Sequence, residues 1–243
     1  MKQLEFTQSS LPEDIALKIA SSLEVNDLCA LGSCSRYWSE LCGSDCIWES
    51  LTRQRWPFLD TVLDPTFKGW RGFYIEQHNE MVGRAATVVK FVKECSLSGS
   101  LEVGVHLKAI EALGSMQLGF QDVQMLLFKP KHNVLLNLVG LHYCINCLNV
   151  PAGCIVKALQ SCKISDSQVC VKWWKLGRWF HGFRMRDESH SRCVSLADLA
   201  MAKEEEVLRV LHRGAIHEVL RVQISTPGFT STPWFTQGTE RLC

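Results

Sequence analysis

No two of the sixteen glycines in this 243-residue sequence stand two apart, so the dinucleotide-binding fingerprint is missing. A Walker phosphate loop, a G-x-S-x-G nucleophile turn and a zinc-protease helix are missing too; His217-Glu218, the nearest approach to that helix, has Arg221 where a second histidine is required. The chain offers no catalytic signature, and a non-enzymatic role without a cofactor or metal is expected. Net charge is only +1, so no global field draws the protein to nucleic acid or anionic lipid. The longest apolar run, Val134 to Val150, carries three asparagines and a histidine and falls short of the ~20 apolar residues of a membrane helix; it is expected to be a buried helix. No tandem period of about 20 to 50 residues is present, which argues against solenoids and propellers. The opening residues MKQLEFTQSS lack the apolar core of a secretory signal and the arginines of a transit peptide, so a cytoplasmic or nuclear location is expected.

What is present is an ordinary globular composition, 47% hydrophobic and 21% charged. Charge is unevenly divided: residues 1–60 hold 5 Lys/Arg against 9 Asp/Glu, and residues 61–243 hold 21 against 16. That asymmetry suggests two units with different partners. The twelve cysteines lie in apolar contexts and are expected to be reduced, buried thiols.

Residues 9–51 carry apolar edges and almost no chemistry. Ser10 with Glu13 has capping-box spacing, and Pro12 suits a first helical turn. Ile15, Ile19 and Leu23 form one stripe at i, i+4 and i+8. Asn26 or Asp27 is expected to cap a second helix bearing Leu28 and Leu31, and Ser35 a third bearing Trp38 and Leu41. A turn at Gly43-Ser44-Asp45 precedes Ile47, Trp48 and Leu51. Three or four short helices in so few residues bury little core and call for a partner.

Leu11-Pro12, Asp14-Ile15, Ile19, Leu23, Asp27-Leu28, Leu31, Cys34-Ser35-Arg36, Trp38, Leu41, Asp45 and Ile47-Trp48 together resemble the F-box motif over its whole length. Two positions depart from it: Ala20 stands where a larger aliphatic residue is usual, and Gly32-Ser33 interrupts the second helix. The resemblance implies docking on a Skp-family adaptor, and through it on cullin and RING subunits, with ubiquitin transfer carried out elsewhere and a protein substrate held nearby. It places Leu11, Pro12, Ile15, Leu28, Leu31 and Trp38 in or beside the adaptor interface. Ile19, Leu23, Leu41 and Trp48 fit either that interface or the internal core.

The expected organisation is an F-box over 9–53, a connector over 54–78 packed on it, and a C-terminal substrate-binding domain over 79–243. Val82, Ala85, Ala86, Val89 and Val92 share a helical face, and Leu107, Ile110 and Leu113 repeat the spacing. Further helices are expected near 121–128, over 132–148, and over 151–163, where Pro151 suits a helix start. From Ser165 the pattern turns to strands: Val169, Val171 and Trp173 share one face, a turn falls at Leu176-Gly177-Arg178, and Phe183 and Met185 share a face of the returning strand. A second turn is expected at Asp187–Ser191, a helix from Ser195 to His212-Arg213 ending at Gly214, and a strand from His217 to Ser225. The fold class is therefore α+β, mainly α, in the style of plant-type F-box proteins with a non-repeat C-terminal domain.

Three sharper readings compete with plain packing. His142, Cys144, Cys147 and Cys154 have zinc-compatible chemistry but no second cysteine pair downstream, so core thiols are favoured. Cys193 near His190 lacks an orienting group for a nucleophile. The stretch 172–186 holds five basic and five aromatic residues; it suits a hairpin that buries its aromatics, with Lys172, Trp174, Lys175, Arg178, Arg184 and Arg186 open to an acidic protein substrate. Single-stranded nucleic acid is the alternative occupant of that stretch, and a non-degradative F-box scaffold is the alternative role for the chain.

Overall fold

The computed structural model describes residues 11–56, 69–215 and 218–229. The chain divides into two compact units, Met1–Glu80 and Met81–Cys243.

In the first unit, α1 (Glu13–Ser21), α2 (Val25–Gly32), α3 (Arg36–Cys42) and α4 (Asp45–Arg55) follow one another through short turns. Pro12 is the N-cap of α1; Ser10 lies outside the described residues. α2 starts after Glu24, so Asn26 and Asp27 sit in its first turn instead of capping it, and the Asp27 carboxylate still favours the helix N-terminus. Ser35 caps α3, its Oγ accepting from the Trp38 N–H at 3.3 Å. The core is small: Ala16, Ala20, Leu28, Leu41, Cys42, Ile47 and Trp48. Residues 57–68 of the expected connector lie outside the described residues, and 70–78 are the first turns of a helix, α5 (Trp70–Cys95). Those turns complete the unit. The Trp70 N–H donates to Asp45 Oδ1 at 2.9 Å, and the Arg55 guanidinium donates to the Tyr74 hydroxyl at 2.5 Å.

The second unit begins within α5, where Met81, Ala85, Val88 and Val92 form the buried stripe. β1 (Ser100–Glu102), α6 (Val103–Ser115), α7 (Phe120–Leu126), α8 (Val134–Asn146) and α9 (Ala152–Ser161) come next. α8 is buried from Leu135 through Cys144, as an apolar run without a polar face requires. The remaining elements are β2 (Gln168–Lys175), β3 (Trp179–Phe180), β4 (Phe183–Arg184), β5 (Glu188–Ser195), α10 (Leu196–Ala200), α11 (Glu205–Arg213) and β6 (Val219–Ser225).

Four strands form an antiparallel sheet in the order β1-β6-β2-β5. One face is core: Leu101, Val169, Val171, Trp173, Val194, Val222 and Ile224 are all buried, and α6, α8 and α10 pack against the strands. The partner of β2 in the hairpin is Glu188–Ser195, not the segment around Phe183–Met185, and it occupies the place where a turn was expected. Residues 179–184 form a separate two-stranded ribbon. The helix expected from Ser195 to Arg213 is two helices, broken at Ala202, whose φ is +54°. Ser195 caps the first, accepting from the Asp198 N–H at 3.1 Å. Gly214 ends the second with φ +71°, a backbone region in which glycine is at ease.

Candidate functional site

α1 turns its residues in a direction its composition does not suggest. The small Ala16 and Ala20 are fully buried against the other helices, whereas the large Leu11, Ile15 and Ile19 are 38%, 50% and 42% exposed. Ile15 and Ile19 stand one turn apart on α1, about 6 Å along its axis at 1.5 Å per residue, and Leu11, just ahead of the helix, extends the apolar row. Alanine on the inner face lets α1 lie close to α3 and α4. The Tyr37 hydroxyl, 3.4 Å from the Leu11 carbonyl oxygen, donates to it and ties the start of that row to α3. Pro12 is exposed beside it, and Leu23, Leu31 and Trp38 are half-buried.

Leu28, expected in or beside the adaptor interface, is completely buried, and Leu41 and Trp48, which fitted either interface or core, belong to the core. Trp48 donates its indole N–H to the Cys42 carbonyl at 2.7 Å and meets the Tyr74 ring edge-on at 5.2 Å. These three residues therefore hold the helices in place, and the exposed row is presented on top of them.

A family model for F-box-like domains matches residues 8–54. The chain carries an F-box-like domain over these residues. An F-box implies a Skp-binding adaptor role in SCF-type complexes. Comparison with curated proteins and with solved structures finds no match for the chain.

The second unit distributes the other candidate residues over two places. Lys172 and Trp174 lie on the sheet face opposite the core, where the Lys172 ammonium is 5.0 Å from the Trp174 ring centre and the Arg221 guanidinium 5.4 Å. Arg221 in turn forms an ion pair with Glu102 across the sheet. Lys175 pairs with Glu206 at 3.2 Å. Arg178, Arg184 and Arg186 belong to a projection over 176–187, well away in sequence register from Lys172. Arg178 faces Glu218 at 3.6 Å and Arg184 faces Asp187 at 2.9 Å. The aromatics were expected to turn inward; Trp173 does so, while Trp179, Phe180 and Phe183 stay in solvent.

Next to Lys172 on the outer sheet face, Cys170 and Cys193 stand directly opposite one another and are joined by a disulfide. That overturns the expectation of reduced thiols for this pair and removes Cys193 as a nucleophile. Burial also fails for much of the rest: Cys29, Cys34, Cys46, Cys95, Cys147 and Cys154 are exposed, Cys162 is half-buried, and Cys42 and Cys144 are buried. Burial pushes the Cys144 thiol far above its ordinary range, and the nearby Cys147 adds to the effect.

The candidate zinc ligands are scattered. His142 is buried with its Nδ1 2.8 Å from His106 Nε2, whereas Cys147 and Cys154 are exposed. Among the described residues, no three His, Cys, Asp or Glu side chains converge as metal ligands would. The disulfide, the solvent-facing ribbon and the histidine pair were not foreseen. None had a clear local signal; of the two bonded cysteines only Cys170 lies in a segment whose alternation marks a strand.

Proposed function

We propose that the chain is the substrate-recognition adaptor of an SCF-type cullin-RING ubiquitin ligase. It docks on a Skp-family protein through its first unit and presents a protein substrate through its second. The observation that carries this reading is the exposed row of Leu11, Ile15 and Ile19 over buried Ala16 and Ala20. A helix that served only its own core would place isoleucine inward and alanine outward, because each fully buried large aliphatic side chain contributes ~1.5–3 kcal/mol. The reversed arrangement leaves apolar area for a partner to cover.

The chain's contribution to ubiquitination is proximity. Tethering a substrate beside a ubiquitin thioester held by other subunits raises the effective concentration of its lysines, and no catalytic group of this chain is needed. The proposed location is the cytoplasm, the nucleus or both.

The test is co-expression of the full chain with a Skp-family adaptor, followed by size-exclusion chromatography with light scattering. A stable 1:1 complex is expected, abolished by Leu11→Ala with Pro12→Ala. A monomer indifferent to the adaptor would overturn the reading. The substrate half is tested by proteome turnover: at least one protein bound by the second unit should become longer-lived when the chain is deleted.

A further inference from the structure

Between the end of β2 at Lys175 and the start of β5 at Glu188 the chain builds a projecting finger, residues 176–187. Its tip is a two-residue turn, His181-Gly182, with φ of +47° and +83°; positive φ at both positions is what a type I′ hairpin turn requires. Trp179 faces Arg184 and Phe180 faces Phe183 across the ribbon. Two such short strands are too few to hold themselves together. They are fastened at the base. The Met185 N–H donates to the Arg178 carbonyl at 2.9 Å, the Leu176 N–H to the Glu218 carbonyl at 2.7 Å, and the Gly177 N–H to Asp187 Oδ1 at 2.9 Å. Arg184 Nη2 donates to the same oxygen, also at 2.9 Å. The Gly177 N–H first, and Arg184 beside it, hold the Asp187 carboxyl below the usual carboxylate range. Gly177 is required here by close approach, since a Cβ would lie 1.9 Å from the Met185 carbonyl oxygen.

All this backbone order encloses no core. Trp179, Phe180, Phe183 and Met185 are 73%, 66%, 78% and 59% exposed. Four large apolar side chains held in solvent by a fastened ribbon form a surface made for contact. Its charge limits what it fits. Residues 172–186 contain five Lys/Arg and no Asp/Glu, yet Lys175, Arg178 and Arg184 already face Glu206, Glu218 and Asp187. Among the described residues, Arg186 faces no carboxylate. A polyphosphate backbone gains its affinity from a row of uncompensated cations, and that row is absent. A segment with apolar anchors and a carboxylate alongside matches what remains.

We propose that the 176–187 finger is a protein-docking site for an extended segment carrying at least two large apolar side chains with an acidic residue beside them. Calling that segment part of a ubiquitination substrate rests on the adaptor reading above; the docking itself does not.

The probe is a fluorescein-labelled peptide of alternating phenylalanine and aspartate, titrated with the full chain at about 0.15 M salt and followed by fluorescence anisotropy. Saturable binding is expected, weakened about tenfold or more by Trp179→Ala or Phe183→Ala, as truncation of an aromatic anchor gives. Arg186→Gln, and asparagine for aspartate in the peptide, should each weaken it about threefold to tenfold, in the range of a lost charge-assisted contact. Because these side chains are solvent-exposed, an unchanged melting temperature certifies the fold of each variant. Gly177→Ala, which keeps every apolar side chain but displaces their base, should also weaken binding. No saturation up to ~100 µM overturns the proposal. So does binding that the finger variants leave intact, or variant-sensitive binding of a single-stranded oligonucleotide or phosphatidylserine vesicles in place of the peptide. Leu11→Ala with Pro12→Ala must leave peptide binding unchanged. Peptide binding without adaptor binding would sink the adaptor reading alone, and the reverse would sink this one alone.

Discussion

His106 and His142 lie ring against ring inside the second unit, Nε2 of one 2.8 Å from Nδ1 of the other, joining α6 to α8. The hydrogen bond needs one N–H and one lone pair, so the pair is stable with both rings uncharged. Burial first, then the neighbouring His142, pushes His106 well below its ordinary value; burial first, then His212, brings His142 to about 4. An unfolded chain would protonate both rings near 6.5. Stability contributed by the neutral pair is therefore complete above that value and is lost as pH falls from 6.5 toward 4. At about pH 5, linkage from His142 alone amounts to ~2 kcal/mol. Chemical denaturation at pH 7 and pH 5 measures it, and equal stabilities would refute the assignment. Asp187 and Asp198 carry depressed carboxyls, so their own losses come at still lower pH. Ser195 first, and Lys203 after it, hold Asp198 down.

On α1, position decides the outcome of equal-looking changes. Ile15→Asp and Ile19→Asp should abolish co-purification with a Skp-family adaptor and lower the melting temperature far less than a core substitution, because about half of each side chain is already in water. Ala20→Leu should do the opposite, forcing bulk into a fully buried site at a cost of about 1–3 kcal/mol. Thermal melts paired with the binding assay separate the two classes.

Two tryptophans six residues apart should also behave differently. Trp173 is buried and stacks on His190 at 5.5 Å. Trp173→Ala should cost ~3–5 kcal/mol. Trp179→Ala, at the exposed finger, should stay within about 0.5 kcal/mol of the parent. Denaturant midpoints measured side by side decide it.

Reduction tests the Cys170–Cys193 bond. The two are 23 residues apart in sequence, and in the chain-entropy account a loop of that length stabilises by about 3 kcal/mol. Dithiothreitol, or Cys170→Ser with Cys193→Ser, should lower the melting temperature to a common value without unfolding the sheet, since β2 keeps β6 as its other neighbour. Two additional thiols should become titratable on reduction under denaturing conditions.

Much of this architecture could be read from residue patterns. The helices of the first unit, the long buried α8 and the inward face of β2 follow from period and capping, and all stand at or near the expected places. On α5, sequence saw the apolar residues but not their division into a buried stripe through Ala85 and Val92 and a neighbouring, more open one through Val82 and Ala86. β5 was missed because ESHSRCVS is an edge strand with one buried side chain, Val194, so it lacks the alternation that marks a half-buried strand. β1, three residues long, gives no periodic signal at all. For the docking row, periodicity found Ile15 and Ile19 but not their direction. That depends on the alanines behind them, a matter of packing geometry.

The row on α1 and the finger tip are two unlike apolar patches on one chain. Apolar area left in water favours self-association until something covers it. An adaptor seated on the row would cover that part of it, so the partner would raise how much of the protein a cell can keep in solution.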